Sequence, residues 1–205
     1  MLKKMISPSK MIASTLLALA VTGCACSDNR KPEVEKKDGA NKEVALAGVI
    51  AAPNAQITEA VAIVSSIDDS KVKGKVTFTQ VPGGVRILAD VDGLKPGEHG
   101  FHVHEIGDCG GEHGAAAGGH YNPTNKKHGG PDSPERHVGD FGNIVADEIG
   151  HGHYDRIDTV VSLNGAESIV GRSIMIHADP DDLTTQPTGA SGARIGCGKI
   201  EASVK

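Results

Sequence analysis

The 205-residue chain contains no tryptophan, two tyrosines and three phenylalanines, so aromatic residues make up only 2% of it. Glycine is abundant instead, with 27 residues. Few large side chains and many glycines suit short strands joined by turns better than they suit a helical bundle. The composition therefore favours a β-rich fold with many loops. No internal repeat divides the chain, so we expect a single domain with a tail.

Long hydrophobic runs are also lacking. The apolar run at residues 11–21 is shorter than the roughly 20 residues needed to span a bilayer, and it follows Lys3, Lys4 and Lys10. This pattern predicts a signal peptide over residues 1–23. The run closes on Val-Thr-Gly-Cys, which resembles a bacterial lipobox, so Cys24 is predicted to be acylated and to become the new N-terminus. The alternative is an ordinary signal peptide that happens to contain a cysteine.

Export would place the protein in the cell envelope, lipid-anchored to a membrane and facing the periplasm or the exterior. Cysteines of the mature domain should then pair, because that compartment is oxidising. Residues 24–58 are predicted to be a lipidated N-terminus and flexible tether, since basic and acidic residues cancel between 27 and 43. Residues 44–52 fit either a tether or an extra edge strand.

The chain lacks an excess of positive charge. The first 43 residues hold eight basic and five acidic residues of totals of 21 and 26, which leaves 13 against 21 and a net charge of −8 in the body. A body of this charge offers no basic face, so nucleic acid is excluded as a partner.

Alternation of apolar and polar residues is the main structural signal. It is clearest at residues 72–79 and 85–91, with a Pro-Gly-Gly turn between them, and it predicts two antiparallel strands. Further strands are expected around His102 and at residues 60–67, 141–146, 156–163, 173–178 and 193–200. Two loops without periodicity, 108–138 and 179–192, separate some of these strands. The pattern predicts an all-β, eight-stranded antiparallel body with two long functional loops.

His102 and His104 are separated by one residue, and a strand directs such side chains to the same face. They could therefore share one metal ion, although a polar strand face is the alternative. Further imidazoles and a carboxylate follow downstream, and this ligand supply suits zinc or copper. These residues are His120, His128, His137, Asp140 and His177.

Five segments together resemble the copper,zinc superoxide dismutases. They are G-F-H-V-H-E-I-G-D at 100–108, A-G-G-H-Y-N-P at 117–123, K-H-G-G-P at 127–131, E-R-H-V-G-D at 135–140 and G-A-R-I-G-C-G at 192–198. The resemblance covers residues 59–205 and implies a Greek-key β-sandwich or flattened barrel. It also implies that the protein converts superoxide into oxygen and hydrogen peroxide with copper and zinc as cofactors.

The resemblance also implies roles for individual residues. Copper would be held by His102, His104, His120 and His177, and zinc by His120, His128, His137 and Asp140, with His120 bridging the two ions. Asp181 and His99 would support these ligands. Arg194 would attract the substrate, and His120 would supply a proton. Cys109 and Cys197 would form a disulfide; two free thiols are the alternative.

Some features depart from this pattern or leave alternatives open. Residues 112–116 lengthen the loop after Cys109, and a homodimer is allowed but not required. His113, His151 and His153 are interpreted as solvated loop residues rather than a further metal site, and Cys26 has no assigned role. Arg194 could instead pair with Asp181 or Asp182. The rival functions are an envelope copper- or zinc-binding or copper-delivery module of the same fold and a purely structural sandwich.

Overall fold

The alternating segments form a closed barrel of eight antiparallel strands in the computed structural model, which describes residues 56–203. The strands are β1 (Glu59–Ser66), β2 (Lys73–Val81), β3 (Gly84–Asp92), β4 (Gly97–His104), β5 (Asp140–Ala146), β6 (Gly152–Asp158), β7 (Ser173–His177) and β8 (Arg194–Ala202). A short 3₁₀ helix, Glu112–Ala117, lies in the first long loop. Within residues 56–203 no helix is long and apolar enough to cross a membrane.

The chain divides into two units, Met1–Gly48 and Val49–Lys205, and the described residues all belong to the second. Cys24, Cys26 and the predicted signal peptide lie outside them, as does the tether up to residue 55. Ile57, near the start of the described residues, is hydrogen-bonded to the barrel domain through Asn164. Its N–H donates to Asn164 Oδ1 at 2.9 Å, and Asn164 Nδ2 donates to the Ile57 carbonyl at 2.9 Å.

The strand order is β1-β2-β3-β6-β5-β4-β7-β8, and pairing of β1 with β8 closes the barrel. The chain crosses an end of the barrel between β3 and β4 and again between β6 and β7, because neither pair is adjacent. Such crossings between antiparallel strands define Greek-key connections. The predicted all-β, eight-stranded antiparallel Greek-key fold is therefore confirmed, in its barrel form.

The few aromatic residues are concentrated inside this barrel. Phe78, Phe101 and Phe141, the three phenylalanines of the chain, are fully buried. Phe141 lies 6.4 Å from Phe78 and 5.7 Å from Phe101 between ring centroids, and Tyr154 extends the group with its ring 5.1 Å from Phe101. Small and branched side chains fill the rest of the core. The aromatic side chains of the core thus form a single cluster.

The predicted position of β6 is wrong by four to five residues: the strand spans Gly152–Asp158, not residues 156–163. Its inward positions carry Gly152, Tyr154, Arg156 and Asp158, so the sequence lacks the apolar alternation of a half-buried strand. The apolar residues at 160–163 follow the strand, where Val161 and Leu163 are buried outside the ladder. His153, interpreted as a loop residue, lies on this strand.

A buried ion pair joins the first long loop to the end of β6. Arg136 Nη2 donates to both carboxylate oxygens of Asp158 at 2.8 and 2.7 Å, and both residues are buried. Arg136 Nη1 also donates to the carbonyls of His137 at 3.2 Å and Asp140 at 3.1 Å. The pair therefore holds the chain from His137 to Asp140 against the barrel.

Replacing Asp158 by asparagine should destabilise the protein by about 3–5 kcal/mol, because it leaves the Arg136 charge buried without an anion. The measurement is the free energy of unfolding from urea denaturation. Asp155→Asn is the matched control on the same strand, since it breaks only the exposed pair with Arg86, which water screens. Equal losses in the two variants would contradict the structural role of the buried pair.

Candidate metal centre

Four histidines gather on the outer face of the barrel beneath the long loops. His102 and His104 alternate along β4, His177 ends β7, and His120 reaches them from the first loop, where it forms a β-bridge with His104. One ring nitrogen from each can be chosen so that all four lie within 4.8 Å of one another, and all four residues are buried. His104 Nε2 and His177 Nε2 are 3.4 Å apart. We call this group the four-histidine cluster.

A second group shares His120 with the first. It contains His120, His128, His137 and Asp140, again with ligand atoms within 4.8 Å and all buried. Asp140, at the start of β5, lies at its centre, with its Oδ1 2.9 Å from His120 Nδ1 and 3.1 Å from His137 Nδ1. Asp140 Oδ2 lies 3.1 Å from His128 Nδ1. We call this group the mixed cluster, since three imidazoles surround one carboxylate.

Three imidazole nitrogens in these clusters are buried without a hydrogen-bond partner: His102 Nδ1, His120 Nε2 and His128 Nδ1. Buried polar atoms are nearly always paired, so orphan nitrogens concentrated at two ligand clusters indicate metal sites. His120 directs Nδ1 to the mixed cluster and leaves Nε2 for the four-histidine cluster. A set of three nitrogens and a carboxylate fits tetrahedral zinc, and a set of four imidazoles fits copper. The residues present therefore fit both cofactors.

The two clusters differ in their electrostatics. Burial lowers the pKa of His102, and it lowers the pKa of His104 to about 2, of His177 to about 3 and of His120 to about 4. These rings are therefore neutral, which is the form that binds a metal. At His128 burial also disfavours charge, but the adjacent carboxylates of Asp140 and Asp181 outweigh it and raise the pKa to about 9. The mixed cluster thus has a strongly anionic centre.

Asp181 connects the two clusters from the second long loop. Its Oδ2 lies 2.7 Å from His102 Nε2 and its Oδ1 lies 2.9 Å from His128 Nε2. It therefore holds one histidine of each cluster with the opposite nitrogen turned towards the ligand set. Burial raises the pKa of Asp181, but its hydrogen bonds with the two histidines outweigh this effect and hold the pKa well below its usual range.

His99 and the disulfide fix the surroundings of the clusters. His99 is buried, with Nδ1 2.8 Å from the His177 carbonyl and Nε2 2.8 Å from the Lys95 carbonyl, so its ring ties the end of β7 to the start of β4. Cys109 and Cys197 are bonded, with their Cα atoms 5.8 Å apart, and this bond attaches the first long loop to β8. The structure thus forms the pairing that the resemblance implied.

Arg194 begins β8 and pairs with neither Asp181 nor Asp182. Its guanidinium donates to the carbonyls of Gly114 and Gly118, each at 2.6 Å. Gly114 lies in the lengthened part of the first loop, residues 112–116, and Gly118 follows it, so this loop fixes the direction of the arginine. Partial burial lowers the pKa of Arg194, but a guanidinium stays protonated in proteins.

An open cavity of about 720 Å³ lies beside this arginine. Gly118 and Gly192 form part of its wall, and their carbonyls are 3.0 Å from His104 Nδ1 and 3.2 Å from His177 Nδ1. The cavity therefore reaches the backbone that directly supports the four-histidine cluster. The exposed residues Asp68, Glu112 and His113 also line it.

Sequence reasoning missed several residues that support the site. Gln186 exchanges two hydrogen bonds with the backbone of His128, each 2.9 Å, and Asn143 exchanges two with the backbone of Asp181, at 2.9 and 2.7 Å. Gly189 has a φ of +69°, and a Cβ there would overlap Asp181 Oδ1 and lie 2.7 Å from His128 Nε2. No periodicity marks these positions, because their partners are distant in sequence.

Gly189→Ala should weaken zinc binding by about 10- to 100-fold, because the added methyl group displaces Asp181 from His128. The measurement is competition for zinc against a chromophoric chelator. Gly165→Ala is the control, since Gly165 has a similar φ of +81° but open space around its Cα. If both variants lose zinc affinity equally, backbone strain rather than the contact with Asp181 is responsible.

Three comparisons with known proteins agree with this geometry. Residues 72–200 match the family model described as Copper/zinc superoxide dismutase (SODC). The chain is 44% identical over 155 residues to Superoxide dismutase (Cu-Zn) of Paramecium bursaria Chlorella virus 1, covering 70% of this chain and 80% of the relative. It is 43% identical over 154 residues to Extracellular superoxide dismutase (Cu-Zn) of Brugia pahangi, covering 70% of this chain and 76% of the relative.

Among solved structures, the clock protein EA4 is similar over its whole length. It superposes with a TM-score of 0.69 at 38% sequence identity, and the match covers 75% of this chain and 100% of that one.

Proposed function

The chain belongs to the copper/zinc superoxide dismutase family, and we propose that it converts two superoxide ions and two protons into oxygen and hydrogen peroxide. The four-histidine cluster would hold copper and the mixed cluster would hold zinc. The observation that carries this assignment is His120, whose Nδ1 lies 2.9 Å from Asp140 while its buried Nε2 has no partner. One imidazole thus faces both ligand sets.

When bound, copper supplies a one-electron redox centre and zinc supplies a fixed positive charge. The protein contributes rigid ligands and a site for a proton. His120 Nε2 is the atom at which the chain can hold a proton for the peroxide product, because it is buried and faces the four-histidine cluster. Asp140 orients the ring by its contact with Nδ1. His120 and Arg194 are therefore the proposed catalytic residues.

Arg194 would guide the anionic substrate to the copper side. The body carries a net charge of −8, which disfavours approach of an anion. At the cavity, the exposed Asp68 and Glu112 add negative charge, whereas Arg194 is half-buried and makes no ion pair among the described residues. Its uncompensated charge supports a role in attracting superoxide.

Superoxide removal by the purified, copper- and zinc-loaded protein is the deciding assay. Catalytic removal that disappears when copper is withdrawn would support the proposal. A metal-binding or copper-delivery module would bind both ions without removing superoxide, and a structural barrel would bind neither. The assay therefore separates the enzyme from both rivals, and metal analysis of the same sample separates the two rivals.

Arg194→Ala should lower the rate by about tenfold or more with unchanged metal content, because local charge can alter association rates 10- to 1,000-fold. Arg194→Lys should retain more activity, since it keeps the charge. Lys199→Ala is the control, as it removes a charge from an exposed position on the same strand. Rates are measured against ionic strength.

Salt should slow the wild type more than Arg194→Ala, because charges more than about 10 Å apart are screened at 0.1 M salt. Equal rates for the wild type and the alanine variant at low salt would remove Arg194 from the mechanism.

We propose further that the protein is a bacterial exported lipoprotein of the cell envelope, anchored through acylated Cys24. The support is the sequence alone: basic residues, a short apolar run and Val-Thr-Gly-Cys at residues 21–24. The predicted tether, residues 24–58, would connect the anchor to the barrel. Its balanced charges keep it solvated.

Cys24→Ser should move the protein from the membrane fraction to the soluble fraction, or block its processing, while leaving superoxide removal intact. Mass spectrometry of the wild-type N-terminus measures the acyl group directly. Finding the wild type soluble and without an acyl chain would refute the lipid anchor.

A homodimer is the remaining proposal about partners. Ile63 on β1 and Ile106 after β4, which are 65% and 52% exposed, are candidate residues of its interface. Analytical ultracentrifugation of the domain without its lipid determines the mass.

A further inference from the structure

Two histidines outside the buried clusters lie on the outer surface of the barrel opposite two aspartates. His151 precedes β6 and His153 lies on it, and Asp90 and Asp92 lie on the neighbouring strand β3. In the strand register Asp90 pairs with His153 and Val91 pairs with Gly152, so Asp92 is next to His151. Residues two apart on a strand share a face, and so the four side chains form a rectangle.

The side chains of this surface rectangle already contact one another. Asp90 Oδ1 lies 2.7 Å from His153 Nδ1 and 3.8 Å from His151 Nε2, so one oxygen lies between both rings. Asp92 Oδ1 lies 3.0 Å from His151 Nδ1. Two ligands of one tetrahedral zinc ion are about 3.4 Å apart, given bonds of about 2.1 Å. Asp90 Oδ1 is close to this spacing from each ring, whereas Asp92 contacts the opposite nitrogen of His151, so the exposed side chains must rotate before all four face one ion.

We propose that Asp90, Asp92, His151 and His153 bind one divalent transition-metal ion, copper(II) or zinc(II), separately from the buried clusters. Imidazole nitrogens combined with carboxylate oxygens suit both ions, and the general order of stability favours copper(II) over zinc(II). Magnesium and calcium prefer ligand sets made only of oxygen and are excluded. This inference does not depend on the proposed enzymatic function.

The backbone of the surface rectangle is fixed, and its side chains are accessible. β3 and β6 are paired without interruption from Val85 to Val91, which fixes Asp90 and His153. Asp92 pairs with Lys73 of β2, and the backbone of His151 is hydrogen-bonded to Asp147. The side chains of Asp90 and Asp92 are 53% and 61% exposed, and those of His151 and His153 are 41% and 56% exposed. An ion can therefore enter from solvent after small side-chain rotations, without opening the barrel. Exchange should be faster than at the buried clusters.

The test uses the full holoprotein with its copper and zinc already loaded, titrated with additional copper(II) and then zinc(II) in a calorimeter. The wild type should bind one further equivalent per chain, and magnesium should give no binding. His151→Asn, His153→Asn and Asp90→Asn should each lose that equivalent. His113→Asn should retain it, because His113 is also an exposed histidine beside carboxylates, those of Asp68 and Glu112.

Electron paramagnetic resonance of the added copper(II) provides an independent measurement. Its spectrum should show coupling to two nitrogen nuclei, and this coupling should be reduced in either histidine variant. Superoxide removal should stay at the wild-type level in the Asp90, His151 and His153 variants. A failed titration would thus be distinguishable from failure of the proposed activity.

Two results would overturn the inference. If no further equivalent binds, the four side chains form ion pairs only. If an equivalent binds but persists in His151→Asn/His153→Asn, the ion is held elsewhere in the chain.

Discussion

The structure depends on one constraint: imidazoles packed away from water must have every nitrogen engaged. His102 and His128 each give one nitrogen to Asp181, and His104 and His177 each give one to a loop carbonyl. The remaining nitrogens converge on two points, which only metal ions can satisfy together. The barrel supplies His102, His104 and His177 from strands, so the loops have to supply the rest.

Both long loops are arranged to meet this requirement. The first loop is held by the buried Arg136–Asp158 pair and by the disulfide of Cys109, and the second is held by Gln186 and Asn143 through the backbone. These attachments are polar or covalent because an irregular segment lying over a polar cluster offers little apolar surface to bury. The contacts that hold the two loops in place therefore also set the geometry of the ligands.

The barrel was predictable where one face of a strand is apolar, as at Val76 and Phe78 or at Val85 and Ile87. It was mispredicted at β6, whose inward residues are glycine, tyrosine, arginine and aspartate. The His102 and His104 pair followed from strand geometry, whereas the ligand sets and Asp181 came from resemblance. Gln186 and Gly189 could not be predicted, because their contacts with His128 and Asp181 require the two loops to be already placed. Local patterns carry no information about such contacts.

The shared supports of the two clusters have a thermodynamic consequence. His120 belongs to both ligand sets, and Asp181 hydrogen-bonds one histidine from each. An ion bound at one cluster orders these shared side chains. Fewer side chains then remain to be ordered when an ion binds at the other cluster. Linkage makes any such coupling reciprocal, so zinc would change the affinity for copper by the same factor as copper changes the affinity for zinc. The shared side chains thus make the affinity for either ion depend on whether the other site is filled.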